Sequence, residues 1–202
     1  MNFSAVILAG GPSRRMGRDK AWIPLEGQPL LARQVATVQA LDPQELFVSG
    51  RPDTDYSAVG CRVLTDSTPG LGPLMGIHAA LRATTSPLLV VLAVDMPLMT
   101  SEVLETLLAR CDGATGVVPM ANRRIEPLSA IYPRRAAGVA IRMLALRMRA
   151  VRAFAENCRR ERLIRFHHVD EPEAKCFVNW NSWDDVLGGV GAGTDSPARG
   201  EA

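Results

Sequence analysis

The chain has 202 residues, 47% hydrophobic and 22% charged, with a formal net charge of +2. That length accommodates one sizeable core, and so small a charge argues against nucleic acid or a membrane surface as the main partner. The four cysteines (Cys61, Cys111, Cys158, Cys176) include no C-x-x-C pair, the only histidines are His78, His167 and His168, and a zinc or iron–sulfur site is not expected.

The first residues lack the basic start and long apolar run of a signal peptide. No apolar stretch reaches the ~20 residues of a membrane helix. The expectation is a cytoplasmic protein with reduced thiols.

In chain order, Phe3 to Ala9 is an apolar, β-branched run that stops at Gly10-Gly11-Pro12, as a buried strand ending in a loop does. Leu30, Leu31, Val35, Val38 and Leu41 recur at helical spacing within Gln28 to Leu41. Glu45 to Ser49 and Cys61 to Leu64 are short strand candidates, and Leu74 to Ala83 reads as a helix. Pro87 to Val94 is apolar without alternation, which predicts a strand covered on both faces. A helix follows from Ser101 to Cys111, started by Ser101 with early acids, then a strand from Ala114 to Pro119. Leu128 to Tyr132 and Leu163 to Val169 are further strand candidates. Arg134 to Arg162 is a helical region of one or two helices, and Ser182 to Leu187 suggests a last helical turn. Alternating strands and helices predict an α/β architecture of three layers, Rossmann-like, with a mostly parallel central sheet. Such sheets bind ligands beyond the carboxyl ends of their strands.

The stretch after the first strand carries the most chemistry. Gly10 and Gly11 let backbone N–H groups approach phosphate oxygens, and Arg14, Arg15, Arg18 and Lys20 add charge suited to a triphosphate. The residues alone read equally as a glycine turn with a solvated basic loop. Neither the P-loop spacing nor G-x-G-x-x-G is present. Asp95, at the end of the apolar Pro87–Val94 run, offers a hard oxygen to Mg²⁺; the alternative is a cap on the Ser101 helix or a turn before Pro97. Asp66 ends another strand and reads equally as a turn residue. Asn179 and Asn181 alternate on an extended segment and face one way, toward a metal or substrate, or else cap a following short helix.

The string Leu8-Ala9-Gly10-Gly11-Pro12-Ser13-Arg14-Arg15-Met16-Gly17-Arg18-Asp19-Lys20-Ala21 resembles the L-A-G-G-x-S-x-R-M-G-x-D-K-A signature of the molybdenum cofactor guanylyltransferases. Asp95-Met96-Pro97 is similar to that family's D-x-P motif, Gly72-Pro73-Leu74-Met75-Gly76 to its G-P-L-x-G, Glu126-Pro127-Leu128 to its E-P-L, and Asn179-Trp180-Asn181 to its N-x-N. The resemblance runs from about Val6 to Val186. It implies a nucleotidyltransferase fold over residues 1–187, with about 1–120 binding nucleotide and 121–187 binding the acceptor. Residues 188–202, rich in Gly, Ala, Ser and Pro, are expected to be a disordered tail.

The resemblance further implies transfer of GMP from GTP to molybdopterin, with Mg²⁺ held by Asp95. Leu8, Ala9, Gly10, Gly11, Lys20, Asp66 and Asp95 would contact GTP. Arg15, Lys20 and Asp95 would act in catalysis, and Asn179 and Asn181 would address the acceptor. Proteins that deliver the cofactor or receive the product are conceivable partners. Two departures stand out: Trp183 replaces a proline, and Phe47-Val48-Ser49-Gly50-Arg51 lacks the Asn that often contacts guanine. A cytidylyl or sugar-phosphate enzyme of the same fold is one alternative. A GTP-binding delivery protein without transferase activity is another. Ten arginines lie from Arg134 to Arg165 against Glu156 and Glu161; they suit a phosphorylated acceptor or, for most of them, plain solvation. Met143, Leu144 and Met148 read as core.

Overall fold

A computed structural model describes residues 1–10, 19–65 and 72–180. Expectations placed on Gly11, Arg14, Arg15, Arg18, Asp66, Asn181, the Ser182–Leu187 turn and the 188–202 tail lie outside the described residues.

The elements are β1 (Phe3–Leu8), β2 (Pro24–Leu25), β3 (Gln28–Pro29), α1 (Leu30–Gln39), β4 (Leu46–Gly50), β5 (Arg62–Thr65), α2 (Pro73–Ala83) and β6 (Leu88–Ala93). They continue with α3 (Ser101–Ala109), β7 (Gly116–Ala121), β8 (Arg124–Ile125), β9 (Ser129–Pro133), α4 (Ala137–Ala145), α5 (Val151–Arg160) and β10 (Ile164–His168). The main sheet has the order β10-β7-β9-β6-β1-β4-β5, with β8 paired to β7. β1 is parallel to β4 and β6, β4 to β5, and β10 to β7, while β9 runs antiparallel between β6 and β7.

Each β1 and β6 residue is buried, which explains the unbroken apolar runs: helices cover both sides. Val6 and Leu8 pack with Leu74, Ile77, Met143 and Phe154 of α2, α4 and α5. Ala5 turns the other way, toward Val103, Leu104 and Leu107 of α3, and Ile7 packs with Leu30, Leu31 and Val35 of α1. In α5, buried Val151, Phe154, Ala155 and Cys158 recur at helical spacing, so this stripe is consumed by the core.

Several local readings shift. The start of α3 is capped by Thr100, whose Oγ1 accepts from Val103 N at 3.4 Å, not by Ser101. The Gln28 end of the expected first helix belongs instead to a two-strand hairpin with Pro24–Leu25, because the ring of Pro29 steers the preceding residue away from helical geometry. The Arg134–Arg162 region divides into α4 and α5. Met148 is 44% exposed and so is not core, whereas Met143 is buried.

The chain builds β1, β4 and β5 outward to one side and then crosses to place β6 on the other side of β1. The carboxyl ends of β1 and β6 therefore flank the topological switch point, where open α/β sheets form a crevice. No helix among the described residues is long and apolar enough to cross a membrane.

Candidate active site

Gly10 follows β1 and Asp95 follows β6, so adjacent parallel strands deliver both to the crevice. Lys20 reaches the same place from a short 3-10 turn, Lys20–Trp22, whose start is held by Asp19 Oδ1 accepting from Ala21 N at 3.1 Å. Its ammonium donates to Asp95 Oδ2 at 3.0 Å and to the Trp180 carbonyl at 2.9 Å. The Lys20 and Asp95 side chains are 18% and 23% exposed, so the pair is shielded yet open to a ligand. Asp95 does not cap α3, a role taken by Thr100.

Trp180 completes a clamp. Its N–H donates to the Asp95 carbonyl at 2.8 Å, and its indole is buried among Ala21, Ile23 and Val94. This ties the Asn179 segment to the strand end bearing Asp95. The motif reading singled out the flanking asparagines; the contact that anchors the segment is made by Trp180's main chain, for which a side-chain pattern carries no signal.

The loop bearing Asp95 is held from beneath by α1. The Gln34 amide donates to the Met96 carbonyl at 2.6 Å and Arg33 Nε to the Pro97 carbonyl at 3.2 Å. Gln34 Oε1 is buried without a hydrogen-bond partner among the described residues.

At the end of β1, Ala9 N donates to the Ser49 carbonyl at 2.8 Å and the Leu8 carbonyl accepts from Val94 N at 3.2 Å. These groups belong to the sheet, which leaves Gly10 as the first described residue of the loop with its backbone exposed. Ser49, within the segment that lacks the expected Asn, is buried, and a Cβ on Gly76 of α2 would run into its Oγ. Gly72 precedes that helix at φ +78°, a left-handed conformation that glycine adopts freely.

On the other side of β6, Ala93 N donates to the Leu128 carbonyl at 2.8 Å, bringing Glu126-Pro127-Leu128 to the crevice. Burial pushes the Glu126 carboxyl up, against the opposing pull of Arg124 and Arg152. The Tyr132 hydroxyl, within the core, donates to the Pro127 carbonyl at 2.9 Å.

A Mg²⁺ ion accompanying a nucleotide takes oxygens from one or two carboxylates and from the phosphates. Asp95 fits that donor set: it stands at the crevice, and only its Oδ2 is engaged among the hydrogen bonds of the described residues. The described residues contain no cluster of three or more His, Cys, Asp or Glu that could hold a metal by themselves.

A switch-point crevice with a strand-end carboxylate paired to a lysine suits a nucleotide-binding enzyme, and the chain's relationships make the class a nucleotidyltransferase. Residues 5–167 match the family model of the MobA-like NTP transferase domain, and the chain belongs to that family. It is 35% identical over 185 residues, covering 90% of this chain and 92% of the relative, to a probable molybdenum cofactor guanylyltransferase of Opitutus terrae. It superposes with TM-score 0.75 and 26% identity on molybdopterin-guanine dinucleotide biosynthesis protein A of Archaeoglobus fulgidus, covering 94% and 97% of the two chains. A nucleotidyl transferase of Methanothermobacter thermautotrophicus, at 18% identity and TM-score 0.75 over 95% and 97%, shares the fold.

Proposed function

We propose that this enzyme transfers GMP from GTP to molybdopterin, giving the guanine dinucleotide form of the molybdenum cofactor and pyrophosphate. The observation that carries the reading is the Lys20–Asp95 pair at the β1/β6 switch point. It supports a triphosphate lying across the Gly10 loop, and the chain's relatives include a probable molybdenum cofactor guanylyltransferase.

In this reading a terminal phosphate oxygen of the acceptor attacks the α-phosphorus of GTP, and the bond to the β-phosphate oxygen breaks as pyrophosphate leaves. No covalent enzyme intermediate is required. Lys20 and Arg15 neutralise charge on the phosphates, and Gly10 and Gly11 offer backbone donors. Asp95 would hold the Mg²⁺, which would supply positive charge to screen the triphosphate. Asp66 contacts the nucleotide, and Asn179 and Asn181 address the acceptor. The protein's contribution is positioning and electrostatic stabilisation, served by the main-chain ties from Trp180 and Gln34 that hold the Asp95 loop.

The test is pyrophosphate release with Mg²⁺ and molybdopterin, comparing GTP, CTP, ATP and UTP. Release with GTP alone, dependent on molybdopterin, is expected. The segment 47–51 has no asparagine, so a cytidylyl enzyme is the second reading, and release with CTP would select it. Silence with all four from folded protein would overturn both.

A further inference from the structure

The β7–β8 hairpin and the α4–α5 loop form a basic and apolar rim beside the acceptor half of the crevice. β7 runs in the same direction as β6, since both are antiparallel to β9, so the Asn122-Arg123 turn lies at the crevice end of the sheet. α4 starts at the opposite end, where Arg134 N donates to the Pro87 carbonyl, and runs toward the crevice. α5 returns from it, and Arg152 in its first turn acts on Glu126.

Arg123, Arg124, Arg147, Arg149 and Arg152 are all exposed, and Glu126 is the only acid from Ala121 to Ala155. Leu146 is 72% exposed and Met148 44%. Leu146 is the most exposed of the large apolar side chains among the described residues, and it stands directly beside Arg147.

Two of these arginines also occupy backbone positions that suit glycine. Arg123 (φ 64°) follows Asn122 (φ 50°) in a two-residue hairpin turn, a geometry that favours Asn-Gly. Arg147 (φ 57°) sits at the left-handed position ending α4, where Arg147 N donates to Leu144 O at 2.9 Å and Met148 N to Met143 O at 2.9 Å. That closing motif ordinarily takes glycine. Positive φ recurs at Glu26, Asp42 and Arg162 away from the rim, so the rim is marked by its charge and its exposed apolar side chains.

We infer that this rim is a docking surface for an acidic partner protein that seats an apolar side chain against Leu146 and Met148 and pairs its carboxylates with the surrounding arginines. A small phosphorylated ligand is bound by convergent, partly buried groups; these side chains are exposed and spread over two segments. Arg and Met are enriched at protein interfaces, and Arg pairs with carboxylates in bidentate geometry. An anionic membrane is less well suited, because the apolar stripe of α5 is already buried in the core and only Leu146 and Met148 remain on the rim. The position beside the crevice suits hand-over of substrate or product, and to that extent rests on the proposed transfer reaction.

The probe is a fluorescent amphipathic peptide of glutamate and leucine, titrated against the full-length enzyme at several salt concentrations. Arg147→Glu/Arg149→Glu should weaken binding about tenfold, because charge complementarity governs such encounters. Leu146→Ser should weaken it with an unchanged salt slope. The matched control Arg134→Glu/Arg160→Glu, at the other end of the sheet, should stay within about twofold. Arg147→Gly separates docking from folding: it should weaken the peptide while raising or preserving the urea midpoint, since glycine relieves the positive φ. Equal loss in rim and control variants would overturn the proposal by reducing it to net charge. So would displacement of the peptide by inorganic pyrophosphate, preferential binding to phosphatidylglycerol vesicles, or loss of transfer to free acceptor in the rim variants. Failure of every transfer assay with rim-dependent docking intact would sink the proposed reaction and leave the docking surface standing.

Discussion

Lys20 and Asp95 lie 75 residues apart in sequence and 3.0 Å apart in space, and the same ammonium donates to the Trp180 carbonyl. Three distant segments therefore meet on one nitrogen. The arrangement makes Lys20 the brace of the Asp95 carboxylate, and in the proposed reaction it would also set its charge toward the triphosphate.

Replacing Lys20 by Ala should lower kcat/KM for the triphosphate by about a hundredfold, the scale of losing one preorganised charge at a developing anion. Asp95→Asn keeps the shape and removes the carboxylate, so activity should fall at least as far, and raising Mg²⁺ should not restore it. Steady-state pyrophosphate release measures both. Activity within a few-fold of wild type in either variant would remove that residue from the site.

Gln34 supports the Asp95 loop through a buried bond to the Met96 carbonyl. Gln34→Leu strands that carbonyl, at a cost of about 1–3 kcal/mol, partly offset because the partnerless Oε1 is also removed. Gln34→Glu sets an acceptor against an acceptor and should destabilise more than Leu does. Urea unfolding of the two variants checks the order; a less stable Leu variant would show that packing, not the donor, is what matters there.

Glu45 lies at the opposite end of the sheet. Burial raises its carboxyl pKa, but the Thr85 N–H and the hydroxyls of Ser4, Thr85 and Thr84 outweigh this and hold it below the ordinary carboxylate value. A group depressed in the folded state contributes stability above its unfolded pKa of about 4.3, and the contribution is lost as pH falls through the folded pKa. Glu45→Gln should therefore lower the urea midpoint at pH 7, and the gap to wild type should narrow below about pH 4. A gap independent of pH would assign the effect to packing.

Burial pushes the Cys111 and Cys158 thiols up to about 12, and the thiolate is the nucleophile. A thiol-reactive dye should label only the half-exposed Cys61 and Cys176 in the folded enzyme, and all four in urea. Rapid native labelling of Cys158 would reveal local opening of α5.

Legibility in the sequence followed the range of the interaction. β6 was readable because a strand buried on both faces must be apolar throughout, which put Asp95 at a strand end, while the residue alone left a ligand, a helix cap and a turn equally open. β2, β3 and β8 were missed because each is a two-residue pairing. Their turns, Glu26-Gly27 and Asn122-Arg123, place non-glycine residues at positive φ, where sequence rules look for Asn-Gly. The cap of α3 was misplaced by one residue because Thr100 and Ser101 offer the same hydroxyl chemistry, and only backbone geometry chooses between them. The Trp180 clamp was invisible because a peptide group is common to every residue type.

That clamp has a consequence for how the enzyme is born. Synthesis proceeds from the amino end and a domain folds as a unit, so Lys20 and Asp95 are made well before the Trp180 that completes their junction. A nascent chain at that stage has the Asp95 carbonyl unanswered and the Lys20 ammonium lacking one acceptor. The Lys20–Asp95–Trp180 junction is thus among the last parts of the described chain to close.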